Sequence, residues 1–164
     1  MIKIIPAQTI ESYQIIAGLA KSIWSEHYTP IIGEQQVAYM LTKFQSATSI
    51  ENQVESGVKY YLLRHEDAPV GYFSYSIKEN ALFLSKLYVL SSARGNGIGK
   101  TALSYMEKQT KKLGLKKIQL TVNKYNGNSI KAYQKMGFVN IKAIVQDIGN
   151  GYVMDDFVLE KIIQ

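Results

Sequence analysis

The stretch Ser91–Thr101, SSARGNGIGKT, holds the most chemically suggestive residues of this 164-residue chain. Glycines stand at 95, 97 and 99, a cation stands at 94, and Gly99-Lys100-Thr101 closes the run. Glycines let a backbone approach a ligand closely, and successive N–H groups at a helix start aim at one anion. Three anion sites share these features. A phosphate loop for ATP needs a glycine, four residues, then Gly-Lys-Ser/Thr. Here Arg94 occupies the first position, and no acidic strand end for magnesium is evident nearby. A dinucleotide fingerprint needs G-x-G-x-x-G, which the alternate glycines do not supply. The third reading is a strand, a glycine-rich turn and a helix that cradle a pyrophosphate without a metal, with Arg94 adding charge. A turn that binds nothing is the competing reading. It is costly, because each glycine in a helix interior forfeits roughly 0.8–1 kcal/mol relative to alanine.

Other chemistries are narrowed by composition. The chain has no cysteine, so thiolate nucleophiles, thiolate metal sites and disulfides are excluded. His27 and His65 are the only histidines and lie far apart, so no metal site is expected. The net charge of +6 and a pI near 9.3 favour anionic partners without choosing among them. Lys108, Lys111, Lys112, Lys116 and Lys117 read as a solvated face near a helix C-terminus. No apolar run is long enough to span a bilayer, and the start MIKIIPAQTIES lacks a secretory pattern. A single cytoplasmic domain over residues 1–164, with no membrane partner, is the expectation.

The elements that must position the glycine stretch follow from periodicity. MIKIIP reads as a strand stopped by Pro6, and Thr9 with Ser12 as a helix cap. Ile10, Tyr13, Ile16, Ala17, Ala20, Ile23, Trp24 and His27 recur at helical spacing, ended by Pro30 and Gly33. Val37, Met40, Leu41 and Phe44 form one face of a second helix, and residues 45–57 have room for a further short turn. VKYYLLR and PVGYFSYSI form a hairpin about HEDA, and ALFLSKLYVL follows as a third strand. After the glycine stretch come a helix closed by Gly114, the strand KKIQLTV, a helix over Asn126 to Met136, and two strands joined by GNG. The order is β-α-α-β-β-β-α-β-α-β-β. It implies an α+β fold: a mixed, mostly antiparallel central sheet with one parallel pair, flanked by helices.

Placed between that strand and helix, Arg94-Gly95-Asn96-Gly97-Ile98-Gly99 resembles the R-x-x-G-x-G/A signature of the GNAT superfamily of N-acetyltransferases. A second block, LTVNKYNGNSIKAYQKMGF, resembles the same family's strand, asparagine, helix and Tyr-x-x-x-Gly-Phe pattern, with Asn126, Tyr133 and Gly137-Phe138 in place. Ser129 departs mildly from it, standing where alanine is common. One block is moderately specific; two in order, on the right elements, are strongly so. The element order fits along essentially the whole chain.

The resemblance implies the GNAT acyl-CoA N-acyltransferase fold, with its parallel pair splayed, and acetyl-CoA as cosubstrate with no metal. It places the pyrophosphate on the backbone of Arg94, Gly95, Asn96, Gly97, Ile98, Gly99 and Lys100. It places the pantetheine arm along Leu87, Tyr88 and Val89, with Val89 or a neighbour donating an N–H to the developing oxyanion. It makes Tyr133 the acid for the leaving thiolate, and Asn126 a coenzyme contact or a helix cap. A core tyrosine is the bland alternative for Tyr133, since the chain has 12 tyrosines. The family builds its acceptor groove near the end of the first long helix, which makes Glu26 and Tyr28 candidate substrate residues; Asn123, on a strand flanking the splay, is a third. Glu26, Glu34, Asp155 and Asp156 are candidates for an acidic patch, and Trp24 reads as core.

Three functions compete. The first is acetylation of a small primary amine such as a polyamine, by direct attack in a ternary complex. A looser resemblance of SIWSEHYTPIIGEQQVAYML and GYVMDDFVLEK to bacterial polyamine-acetyltransferase relatives points that way. The second is N-terminal acetylation of a peptide or protein. The third, from another class, is a basic module binding nucleic acid or nucleotides; it lacks aromatic RNA-binding motifs and zinc-finger spacing. No nucleic-acid partner is expected, and a homodimer is among the states the resemblance allows.

Overall fold

The computed structural model describes residues 1–163. In chain order the elements are β1 (Ile2–Pro6), α1 (Ile10–Ile32), α2 (Glu34–Phe44), α3 (Ala47–Glu55), β2 (Lys59–His65), β3 (Ala68–Lys78), β4 (Ala81–Val89), α4 (Ile98–Lys112), β5 (Lys117–Asn123), α5 (Gly127–Lys135), β6 (Val139–Gly149) and β7 (Tyr152–Ile162). A short 3₁₀ turn over Ser91–Ala93 links β4 to α4. The strands hydrogen-bond in the order β1-β2-β3-β4-β5-β7-β6, with β4 and β5 parallel. The fold is the mixed α+β one expected. Among the described residues, no helix is long and apolar enough to cross a membrane.

The first element boundary matches its sequence signal closely. Thr9 Oγ1 accepts from the Ser12 N–H at 3.2 Å and Ser12 Oγ accepts from the Thr9 N–H at 3.1 Å, a reciprocal cap. The end of α1 differs from expectation in one respect. The helix runs through Pro30 to Ile32 and stops at Gly33, whose φ is 87°. A proline removes only one helical N–H, and a helix absorbs that loss near its end more readily than in its middle. The polar segment before β2 forms a full nine-residue helix, α3, capped by Ser46 through the Ser49 N–H.

Contacts divide the chain into two compact units. The first comprises Met1–Ser76 and Lys86–Met106, and the second Ile77–Ser85 and the chain from Glu107 onward. In the first, β2 pairs antiparallel with β1 and β3. Its core is aromatic and contains a closed polar network. Tyr72 donates its hydroxyl hydrogen to Gln45 Oε1 at 2.6 Å, and Gln45 Nε2 donates to Tyr60 Oη at 3.0 Å. Tyr60 donates in turn to Gln53 Oε1 at 2.7 Å. Gln45, at the C-cap of α2, thereby ties α2 to β2 and β3 from a position only 2% exposed. Burial pushes the Tyr72 hydroxyl well above the usual tyrosine value of 10.0, and burial also raises that of Tyr60.

Gly71 is the other constraint in this unit. A Cβ there would lie 2.3 Å from the Tyr88 carbonyl oxygen and 3.1 Å from the Val89 Cα. A glycine inside a strand often marks such an approach of one backbone to another. The Leu90 N–H donates to the Val70 carbonyl at 2.8 Å, so main chain meets main chain here.

In the second unit, β5 pairs with β7 and β7 with β6, all antiparallel. The parallel register of β4 with β5 runs from Ala81↔Lys117 to Leu84↔Leu120. Lys117 pairs with Glu160 at 3.2 Å and Lys161 with Glu107 at 3.0 Å, both partly shielded from solvent.

Two predictions follow from the first unit. Gly71→Ala sets a methyl group against main chain that cannot rotate away; a loss of about 1–3 kcal/mol in urea unfolding is expected. Wild-type stability in the variant would show that β4 has room to move. The raised tyrosines make stability depend on alkaline pH. Their folded pKa exceeds the unfolded 10.0, so their contribution is complete below pH 10.0 and is lost as pH rises through the folded value. Tyrosinate absorbance should therefore include a fraction that appears only as circular dichroism is lost. Titration of all tyrosines ahead of unfolding would contradict the burial argument.

Candidate active site

Backbone alternation on β4 decides which groups face which way. The Tyr88 carbonyl approaches Gly71 and the Leu90 N–H bonds Val70, so residues 88 and 90 direct their main-chain groups to β3. Leu87 and Val89 are of opposite parity to these two. Both also lie beyond Leu84, the last residue of the β4–β5 register. Leu87, Tyr88 and Val89, the residues expected along the pantetheine arm, close β4. The side chain of Tyr88 turns to α1, where its hydroxyl lies 2.9 Å from that of Tyr28.

The loop after β4 has the shape of an anion cradle. Gly95 and Gly97 adopt φ values of 86° and 73°, which side chains disfavour. Gly99 lies in ordinary helical backbone within α4, so the turn does not require it. A Cβ at 95, 97 or 99 would meet nothing within 4 Å, so all three glycines border open space. The Thr101 N–H makes the first bond of α4, to the Gly97 carbonyl at 2.9 Å. The N–H groups of Ile98, Gly99 and Lys100 precede it and have no intrahelical acceptor. No acidic residue occupies the first turn, and the helix dipole adds positive potential. The buried Ile98 side chain anchors this start, and Asn96 Nδ2 braces the turn by donating to the Ala93 carbonyl at 2.9 Å. These features suit the pyrophosphate of coenzyme A.

Ile23, Glu26, His27, Leu90, Ser91 and Arg94 line a cavity of about 200 Å³. Arg94 therefore stands with its side chain beside α1, a placement that the motif alone did not convey. Glu26 and His27 supply polar groups to the same wall. Next to it, the ring of Trp24 meets those of Tyr28 and Tyr88 edge-on at 5.6 and 5.5 Å. Trp24 is buried, as its reading as core anticipated.

The remaining candidates lie in the second unit. Tyr133 is half-buried on α5, with its ring 5.4 Å from Phe138. Asn126 caps α5, its Oδ1 accepting from the Ser129 N–H at 3.4 Å. Asn123 is buried, and its Oδ1 accepts from the Tyr125 N–H at 2.9 Å, an Asx turn that ends β5. Its side-chain oxygen thus has a structural task at this turn. Asp155 pairs with Lys124 at 2.7 Å and Asp156 is buried, so neither forms an open acidic patch. Gly71 was missed from sequence. The one available signal was a glycine in the middle of the strand PVGYFSYSI.

Comparison with known proteins agrees with this geometry. A spermidine N(1)-acetyltransferase of Thermoplasma acidophilum is 25% identical over 158 residues, spanning 93% of this chain and 92% of that protein. The crystal structure of PaiA N-acetyltransferase from Thermoplasma acidophilum in complex with coenzyme A superposes with a TM-score of 0.82 at 24% identity, covering 99% of each chain. A GNAT-family acetyltransferase of Staphylococcus aureus Mu50 superposes over 100% of both chains, with a TM-score of 0.76 at 19% identity. Residues 20–138 match the Acetyltransferase (GNAT) family. With more than half its length in that match, the chain belongs to the GNAT family and is an acetyl-CoA-dependent N-acetyltransferase.

Proposed function

We propose that this enzyme acetylates a small primary amine carrying a further positive charge, polyamines included, by direct attack in a ternary complex. The observation that carries the reading is the cavity beside the coenzyme loop, whose lining includes Glu26 and His27. A carboxylate there suits an ammonium group. The likeness to a spermidine N(1)-acetyltransferase over nearly the whole chain supports the same substrate class.

Acetyl-CoA supplies a thioester whose carbonyl carbon accepts the amine nitrogen. In this mechanism the N–H groups of Ile98, Gly99 and Lys100, with the flexible turn from Arg94 to Gly97, hold the pyrophosphate. Leu87 and Val89 hold the pantetheine arm through the open edge of β4. The Val89 N–H donates to the thioester oxygen, where negative charge develops. Tyr133 gives its hydroxyl proton to the sulfur as the thiolate departs. Asn126 acts through α5: its cap fixes the helix start that sets where Tyr133 lies. An amine with the pKa of lysine costs about 4–5 kcal/mol to deprotonate at neutral pH, so proton removal toward solvent is part of the task. Glu26 and His27, which line the cavity, are the groups we assign to receive that proton.

The test is thiol release from acetyl-CoA across spermidine, spermine, short diamines, monoamines and peptides with free N-termini. The chain has no cysteine, so a thiol-reactive dye sees only released coenzyme. Turnover is expected with amines bearing two or more charges. Release with peptides alone would move the assignment to N-terminal acetylation of peptides or proteins. Tyr133→Phe is expected to lower kcat about hundredfold or more while calorimetric coenzyme affinity is retained. Unchanged turnover would remove Tyr133 from the mechanism.

A further inference from the structure

Among the described residues, Asp156 is the only Asp, Glu, Lys, Arg or His whose side chain is buried, at 1% exposure. A carboxylate taken out of water is costly unless hydrogen bonds replace the lost hydration. The mechanism above gives this group no task, and its place in the sheet points to one. On β7, Asp156 stands directly opposite Asn123 of β5 on one side and Ile144 of β6 on the other. Directly opposed residues share a face of the sheet, with Cβ atoms about 4.5–5.5 Å apart. The Ile144 side chain has no polar atom. Asn123, itself buried, has a primary amide.

Asn123 also organises the turn that starts α5. Its Oδ1 accepts from the Tyr125 N–H at 2.9 Å, and its main-chain carbonyl accepts from the Asn126 N–H at 3.0 Å. Asn126 in turn caps α5, the helix that carries Tyr133. The same turn meets β7 through main chain, since the Lys124 N–H donates to the Asp155 carbonyl at 3.1 Å. A primary amide can face two ways, and turning it over exchanges its acceptor for its donors. Only one of the two ways gives the Tyr125 N–H an acceptor. In that orientation the Asn123 NH₂ donates elsewhere, and the residue across the ladder is Asp156. An ionised carboxylate accepts and cannot donate, so it favours this orientation and opposes the reverse.

We infer that Asp156 is a positioning residue: its carboxylate accepts from the Asn123 side-chain amide, fixes which way that amide faces, and so sets the β5–α5 turn from which Tyr133 is carried. The inference rests on the role given above to the Tyr133 hydroxyl. In this task Asp156 need touch neither substrate nor coenzyme. It acts on the reaction through Asn123 and α5.

Asp156→Asn keeps the size of the side chain but adds an NH₂, which can face the Asn123 amide in either orientation. Thiol release from acetyl-CoA with spermidine as acceptor is measured for wild type, Asp156→Asn, Tyr133→Phe and the double variant. Asp156→Asn is expected to lower kcat about tenfold, with calorimetric coenzyme affinity within about twofold of wild type. On the Tyr133→Phe background the same change is expected to cost nothing further, because the group it positions is already gone. An equal loss on both backgrounds is what a merely structural role predicts, and it would overturn the inference. So would wild-type kcat in Asp156→Asn beside an impaired Tyr133→Phe, which removes the positioning role alone. Wild-type kcat in Tyr133→Phe would remove the role of Tyr133 and the inference with it. Hydrogen exchange followed by NMR reads the turn without any substrate. In wild type the Asn123 NH₂ and the Tyr125 N–H are expected to be protected, and in Asp156→Asn the Tyr125 protection is expected to fall about tenfold. Exchange of the Asn123 NH₂ at the solvent rate in wild type would overturn the contact, whether or not the variant folds. If wild type fails to turn over spermidine, the small-amine reading suffers, and the exchange measurement still decides the contact.

Discussion

The contact between Gly71 and the Tyr88 carbonyl is the constraint on which the site depends. A strand has two edges, and its backbone groups alternate between them. Once residues 88 and 90 are committed to β3, residues 87 and 89 face the other way. Their side chains then follow, and Tyr88 must turn its ring toward α1. One absent methyl group thus lets the β4 main chain lie directly against β3.

The aromatic interior around that strand has a second consequence. Tyrosine offers a large apolar ring and one hydroxyl, and a buried hydroxyl without a partner is costly, about 1–3 kcal/mol. Here Gln45 resolves the problem for Tyr60 and Tyr72 together, because a primary amide can donate and accept at once. Of the rings that carry this network, Tyr72 is the one against which Tyr88 packs. Rigidity in the interior is passed outward through ring contacts to the half-buried pair at the surface. This explains why so polar a residue as Gln45 sits almost completely buried at a helix end.

Much of this was legible in the sequence. The element order, the Thr9 and Asn126 caps, the glycine turn and the family motifs all depend on short-range patterns. Periodicity and spacing report such patterns directly. The extension of α1 past Pro30 was not legible, since a proline's cost depends on how many bonds the helix has left to lose. Nor was the parity of β4, which is set by Gly71, a residue distant in sequence. Asn123 shows the opposite difficulty. Its residue type suits a substrate contact, but its oxygen closes an Asx turn with Tyr125, a role that residue type does not reveal. The cavity lining was out of reach for the same reason as the parity, because it joins α1 to a turn more than sixty residues later.

Trp24 is the chain's one tryptophan. It is buried against Tyr28 and Tyr88, so the protein's entire indole emission originates at the aromatic cluster that joins α1 to β4. Most proteins scatter that signal over several positions. In this one, that cluster carries its own optical reporter. Excitation absorbed by the neighbouring tyrosines drains into the same ring, and any change in the polarity or packing of that cluster is read at a single point without a label.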